Sequence, residues 1–142
     1  MIYSKELTDV LEDIVTKNVT MFPLPYKKGN SIRLKHLAIR KNKHGYQLFD
    51  CKTNAHVVRT FTKTAALAIA NCIVRNKEKS IDSIQLLDEQ VRKYYNDAIF
   101  YKNSVEKTQD PIKKEVCETR FDIATEDAYV TLQQIENYIF DK

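Results

Sequence analysis

"SIRLKHLAIRKNKHGYQLFDCKTNAHVVRTF", residues 31–61, contains three runs of mixed apolar and polar residues separated by short polar segments. Runs rich in Ile, Val, Tyr and Phe, bounded by Asn, Gly and Lys clusters, are typical of strands in an antiparallel sheet. The pattern predicts a meander with strands at 31–40, 46–51 and 55–61. The alternation slips near Lys35–Leu37, which favours a β-bulge or a strand buried partly on both faces.

Helices are predicted on both sides of this meander. Residues 4–18 carry one apolar stripe at helical spacing behind Ser4, a suitable N-cap. The stretch 21–31, "MFPLPYKKGNS", contains two prolines and is predicted to be an extended connection. After the meander, Thr62 or Thr64 is predicted to cap the alanine-rich helix "TAALAIANCIVRN", with Asn76 as its stop.

The last third of the chain predicts two long helices. Apolar residues recur at alternating spacings of three and four behind Ser80, and again behind Pro111. "TQDP", residues 108–111, breaks the pattern, with Asp110 as N-cap and Pro111 in the first helical turn. We therefore expect an antiparallel helical hairpin in which facing residue numbers sum to about 219, so that Ala98 faces Phe121. Further apolar residues beside the stripes predict a second contact face, formed by Leu86, Tyr95, Ile99, Phe100, Leu132, Ile139 and Phe140.

The predicted fold class is therefore α+β: an N-terminal helix, a three-stranded antiparallel meander, a helix, and then a C-terminal long antiparallel helical hairpin. Residues 1–78 form the α-β-β-β-α module and residues 79–142 the hairpin, packed together as one domain. A chain of 142 residues buries about 70% of its unfolded surface, enough to fold without metals or disulfides. Three distant cysteines, an odd number, are expected to be reduced thiols.

Charge is concentrated in the middle of the chain. Ten Lys or Arg residues stand between 27 and 63 against one acid, Asp50, while the flanking regions are mildly acidic and the whole chain has a net charge of +4. Three interpretations stay open: a solvated strand surface that discourages edge pairing, a docking surface for an acidic protein, or a phosphate-binding surface with Tyr26, Tyr46 or Phe49 available for stacking. The candidate binding residues are Lys27, Lys28, Arg33, Lys35, Arg40, Lys41, Lys43, Lys52 and Arg59.

The sequence offers no catalytic, cofactor-binding or metal-binding residues and predicts a protein that is not an enzyme and has no small-molecule substrate. Its three histidines lack ligand spacing to one another or to a cysteine, and its two glycines form no phosphate-cradling loop. No apolar run approaches the roughly 20 residues of a membrane-spanning helix. The N-terminus lacks the apolar core of a signal peptide, so we expect a cytoplasmic protein without membrane contact.

Two known architectures share the predicted element order. The order helix, three strands, helix is similar to double-stranded-RNA-binding domains. The segments "GYQLFD" and "VVRTFTKTAALA" also look like AP2-type DNA-binding modules, in which a three-stranded meander precedes a helix. Both resemblances imply a module that binds nucleic acid.

Four further segments, "KKGNSIRLKHLAIRK", "HGYQLFDCKTN", "TFTKTAALAIA" and "YYNDAIFYKNSVEK", together resemble a small family of proteins from contractile-tailed phages of marine bacteria, such as cyanophages. The resemblance runs from about Lys27 to about Ala124. It implies a virion-associated or assembly protein, found in the virion and in the host cytoplasm during assembly, whose partners are other virion proteins or copies of itself, with DNA as a further candidate. The favoured function is thus a non-catalytic structural or assembly protein of a phage particle that makes contacts through its helical hairpin and basic sheet; the alternative is a nucleic-acid-binding module that uses the basic meander.

Overall fold

The computed structural model describes residues 26–28, 31–43 and 45–140, so the predicted helix at 4–18 lies outside the described residues. The strands are β1 (Tyr26–Lys28), β2 (Ser31–Leu34), β3 (Leu37–Asn42), β4 (Gly45–Asp50) and β5 (Ala55–Thr60). The helices are α1 (Lys63–Val74), a single 3₁₀ turn (Glu78–Ser80), α2 (Ile81–Lys107) and α3 (Pro111–Phe140). The protein is therefore an α+β structure, as the sequence predicts.

Within residues 26–28, 31–43 and 45–140 the meander has five strands, and the prediction of three was wrong. The sheet order β1-β2-β3-β4-β5 follows the chain, and every neighbouring pair is antiparallel. The predicted strand 31–40 is two strands, because Leu34 pairs with Leu37 across a two-residue turn. Lys35, in that turn, has a φ of 55°. The slip in alternation is therefore a chain reversal, and the register shift of the sheet lies instead opposite Leu48 and Phe49.

The segment predicted as an extended connection contains the additional strand β1. Its three residues pair with β2 in the register Tyr26–Arg33, Lys27–Ile32 and Lys28–Ser31. A strand this short was hidden in the sequence because the preceding prolines and the following Gly29 dominate the local pattern. It forms one edge of the sheet, and β5 forms the other.

Helix α1 covers one face of the sheet. Thr62 is its N-cap, and the Thr62 hydroxyl accepts a hydrogen bond from the Ala65 backbone N–H at 3.1 Å. Residues 64–72 are all buried, which the small alanine side chains permit by allowing close approach to the strands. Asn76 follows the helix with a φ of 60°, so the predicted stop is confirmed.

The C-terminal helical hairpin is also confirmed. Asp110 caps α3, since its carboxylate accepts a hydrogen bond from the Ile112 N–H at 3.0 Å. Ala98 and Phe121 belong to one buried cluster near the tip of the hairpin, as the predicted register requires. The other half of the hairpin shares the main core with α1 and the sheet through Ile84, Val91, Leu132, Ile135 and Ile139.

Two buried polar side chains fasten α1 to this hairpin. The carboxylate of Asp88, on α2, accepts hydrogen bonds from the Phe61 N–H at 2.7 Å, the Thr62 N–H at 3.0 Å and the Thr62 hydroxyl at 2.8 Å. Burial raises the pKa of the Asp88 carboxyl above its ordinary value, and the hydrogen bonds from Phe61 and Thr62 only partly offset this effect. On α1, the Asn71 side-chain amide donates to the carbonyls of Tyr138 and Ile139, both at 3.3 Å.

Candidate nucleic-acid interface

The strand register places two arginines in one row across the sheet. Arg40 on β3 pairs with Gln47 on β4, and Gln47 pairs with Arg59 on β5. The preceding residue on β3, Ile39, pairs with Leu48, and both side chains belong to the core beneath α1. Because strand residues alternate between faces, the row of Arg40 points away from α1. Two strand spacings separate the backbones of Arg40 and Arg59, which is about 10 Å.

A second row on the same face adds one more arginine and an aromatic ring. Arg33 on β2 pairs with Ala38, and Ala38 pairs with Phe49 on β4. The guanidinium of Arg40 lies 4.8 Å from the centroid of the Phe49 ring, a distance that allows a cation–π interaction. We name this surface the arginine face; its residues are Arg33, Arg40, Gln47, Phe49, His56 and Arg59.

Polar contacts fix several side chains of the arginine face. The Gln47 Nε2 and His56 Nδ1 atoms are 2.9 Å apart, which is hydrogen-bond distance across β4 and β5. Arg33 donates from Nη1 to the Cys51 sulfur, while its Nε is buried without a hydrogen-bond partner among the described residues. Arg40 and Arg59 are exposed. The face therefore combines one anchored guanidinium with two that can reach solvent.

No carboxylate of the described strands lies on the arginine face. Asp50, the one acid between residues 27 and 63, pairs with Leu37 and therefore belongs to the other side of the sheet. Its carboxylate lies 3.9 Å from the His36 Nε2 atom and accepts a hydrogen bond from the Lys52 N–H at 2.8 Å. Asp50 thus orders the β4–β5 turn, and the arginine face keeps its positive charge.

The nine candidate residues do not form one patch. The structure gathers the three arginines on one face and distributes the lysines. Lys35 and Lys52 lie in turns at one end of the sheet, and Lys43 lies in the turn at the opposite end. Lys41 pairs with buried Tyr46 near the end of β3, outside the arginine face. Lys27 and Lys28 lie in strand β1. Lys28 pairs with Ser31, which pairs with Arg40, so its register position continues the row of Arg40, whereas Lys27 pairs with Ile32 in the row of Ile39.

Sequence reasoning did not select Gln47 and His56. Both belong to the arginine face because of the register, in which Gln47 pairs with Arg59 and His56 with Phe49, and the register shift between Leu48 and Phe49 is what brings Arg59 opposite Gln47. Counting every second residue back from the β4–β5 turn places Gln47 on the same face of the sheet as Phe49. The same count pairs His56 with Phe49, and it fails only beyond the extra residue Val57, where the shift places Arg59 rather than Val58 opposite Gln47.

The helical hairpin carries a separate surface feature. An open groove of about 630 Å³ runs between α2 and α3 near the hairpin tip, lined by residues that include Tyr94, Tyr101, Arg120 and Ile123. Leu132 and Ile139, predicted as part of a second contact face, are buried in the core, whereas Leu86 and Phe100 are 67% and 64% exposed. That predicted face is therefore divided between the core and the surface.

Within residues 26–28, 31–43 and 45–140, no three His, Cys, Asp or Glu side chains come together in a way that could hold a metal ion. None of the helices in the same part of the chain has the length and apolar character needed to cross a bilayer. Comparison of the sequence and structure with protein-family models, curated proteins and solved structures found no match.

Proposed function

We propose that this protein is a non-catalytic structural or assembly protein that binds nucleic acid through the arginine face of its sheet. The observation that carries the proposal is the placement of Arg33, Arg40 and Arg59 around Phe49 on a face without carboxylates. Guanidinium groups bind phosphate oxygens in a bidentate manner. The Phe49 ring can stack on a base, whatever the identity of that base, when the Arg40 guanidinium that lies over it turns toward a phosphate.

The shape of the surface favours single-stranded over duplex nucleic acid. Proteins read the major groove of DNA with an inserted helix or a two-stranded ribbon, whereas single strands lie on sheets with aromatic platforms. The arginine face spans at least four strands and is formed by the middle of the sheet rather than by a protruding element. The resemblance to the phage protein family supports a role in particle assembly, with the helical hairpin available for contacts with other subunits.

Binding of labelled single-stranded DNA or RNA of about 20 nucleotides, followed by fluorescence anisotropy as salt is raised, tests the proposal. With the two exposed arginines, Arg40 and Arg59, on phosphates, log K should fall with log salt with a slope of about −1.4 for single strands. Arg40→Gln and Arg59→Gln should each make the slope shallower by about 0.7. Phe49→Leu should weaken binding by roughly 5- to 150-fold with the slope unchanged, because it removes the stacking ring and no charge.

Two matched controls are available in the same sheet. Lys43→Gln and Lys52→Gln remove cations from the turns rather than from the arginine face, and each should change affinity by less than about twofold. Equal losses for turn and face variants would show diffuse attraction and refute the assignment of the face. Absence of any binding at about 50 mM salt would refute nucleic-acid binding and leave two interpretations, a docking surface for an acidic protein and a solvated strand surface.

A further inference from the structure

Helix α3 carries a line of exposed apolar residues, of which Val116 and Ile123 border the groove between α2 and α3. Ile112, Val116, Ile123 and Val130 are 75%, 48%, 53% and 44% exposed, although all are β-branched and apolar. Val116, Ile123 and Val130 stand seven residues apart, so they lie nearly one above another along the helix. The core side of the same helix is formed by other residues, including Phe121 and Ile135. The line is therefore a second apolar surface of α3.

Two opposite charges, Arg120 and Asp127, lie beside this line on either side of Ile123. Arg120 precedes Ile123 by three residues, and Asp127 follows it by four, so both lie on the flank of α3 that faces α2. Their position on that flank is confirmed by the groove, which both residues line, and by the Arg120 guanidinium, which lies 5.9 Å from the centroid of the Tyr101 ring. Opposite charges thus stand on the two sides of Ile123 at distances along the helix that differ by one residue, about 1.5 Å.

We propose that a second copy of this chain binds here, so that two α3 helices pack antiparallel about a two-fold axis at Ile123. In this arrangement Ile123 meets Ile123 of the partner subunit, and Val116 meets Val130 of the partner subunit at both ends. The axis also brings Arg120 opposite Asp127 of the partner subunit, twice, because antiparallel helices align residues of the same flank in reverse order. Each α3 then lies beside the groove between α2 and α3 of the other copy.

Charge complementarity is what selects a second copy over an unrelated partner. One sequence supplies both members of each ion pair and both members of each apolar layer, which is the requirement of an isologous interface. Only the few side chains of the line contribute apolar contact, so we expect an interface smaller than the roughly 1,200 Å² at which stable interfaces begin. The dimer is therefore expected to be weak, with a dissociation constant on the order of micromolar, and to respond to protein concentration.

Sedimentation velocity of the full chain over a range of concentrations tests the proposal. Ile123→Glu places two carboxylates on the axis and should weaken dimerisation at least about 100-fold. Leu86→Glu is the matched control, since Leu86 is 67% exposed on α2 and outside the line, and it should leave the mass distribution unchanged. A monomer at every concentration, or a dimer insensitive to Ile123→Glu, would overturn the proposal.

A charge exchange provides the second test. Arg120→Asp and Asp127→Arg should each weaken the dimer about tenfold, because each sets like charges against each other. The double variant carries Asp at 120 and Arg at 127, so it restores opposite charges across the axis and should recover dimerisation. Additive losses in the double variant would refute the pairing. Nucleic-acid binding by the arginine face is a separate readout, and its failure would leave this interface untouched.

Discussion

Replacement of Asp88 by Ala should be among the most destabilising changes on the surface between α1 and α2. The carboxylate accepts from two backbone N–H groups, those of Phe61 and Thr62, and from the Thr62 hydroxyl. Removing the carboxylate leaves these two N–H donors without partners. Each lost hydrogen bond to a charged acceptor lowers the free energy of unfolding by about 1.5–3 kcal/mol. The Thr62 hydroxyl can rotate toward another acceptor, so losing its bond to Asp88 adds little to the destabilisation. We therefore expect the free energy of unfolding, which is about 5–15 kcal/mol for a typical domain, to fall by about 3–5 kcal/mol.

Urea unfolding followed by far-UV circular dichroism measures this loss. With a slope of about 2 kcal/mol per molar urea, the midpoint should fall by about 2 M. The urea midpoint of Asp88→Asn should lie between those of the wild type and Asp88→Ala. The Asn carbonyl still accepts hydrogen bonds from Thr62, but its NH₂ group faces the Phe61 N–H and cannot accept from it. The control is Glu89→Ala, which removes an exposed acid from the same helix and should change stability by less than about 0.5 kcal/mol. A loss below about 1 kcal/mol for Asp88→Ala would refute the reasoning.

The pKa of Asp88 adds a pH signature to the same comparison. Because the folded-state pKa is raised, the folded protein holds this proton more tightly than the unfolded chain. The contribution of the Asp88 titration to stability is thus fully present below pH 3.8, the ordinary pKa, and is lost as pH rises through the folded-state pKa. The stability difference between the wild type and Asp88→Asn should shrink over that window, and a difference that grows with pH would contradict the assignment.

Three further predictions concern single positions in the fold. Gly45 has a φ of 141°, and a Cβ there would lie 2.3 Å from the Thr60 carbonyl oxygen, so Gly45→Ala should cost at least about 2 kcal/mol by urea unfolding. Lys35→Gly should stabilise the protein by about 0.5–1 kcal/mol, because it relieves the left-handed conformation of the β2–β3 turn; a lower melting temperature would contradict this. Phe121→Ala should cost about 3–5 kcal/mol, whereas Phe100→Ala, at a 64% exposed position, should cost less than about 0.5 kcal/mol.

The sequence predicted the elements whose ends carry strong local signals. Asp110 and Pro111 mark the start of α3, and Thr62 marks the start of α1, so both helices appeared where the pattern placed them. The β2–β3 turn was missed because Lys35 and His36 offer neither Gly nor Asn, the residues that usually mark a chain reversal. The two-strand hairpin therefore looked like one irregular strand.

The arginine face depended on this missed turn. Arg33 and Arg40 lie on the same side of the sheet only because the chain reverses between them, and a single continuous strand would have placed them on opposite sides. The composition shows an excess of cations in this segment, but it cannot show on which face of the sheet they lie. Asp88 had a weak signal that was overlooked: it lies between Ile84 and Val91 at core spacing, where a charged residue requires buried partners.

The strand order has a consequence for synthesis. Each strand pairs with the one made just before it, so the sheet can form on the ribosome from neighbouring segments, and contacts of short sequence separation form rapidly. The hydrogen bond that joins α1 to the end of α3 can form only much later, because the Ile139 carbonyl that accepts from Asn71 is synthesised 68 residues after Asn71. Until then α1 lies on the completed sheet without the helical hairpin that packs against it in the folded protein. Nascent chains that stall in α3 are thus expected to expose this helix to chaperones and proteases.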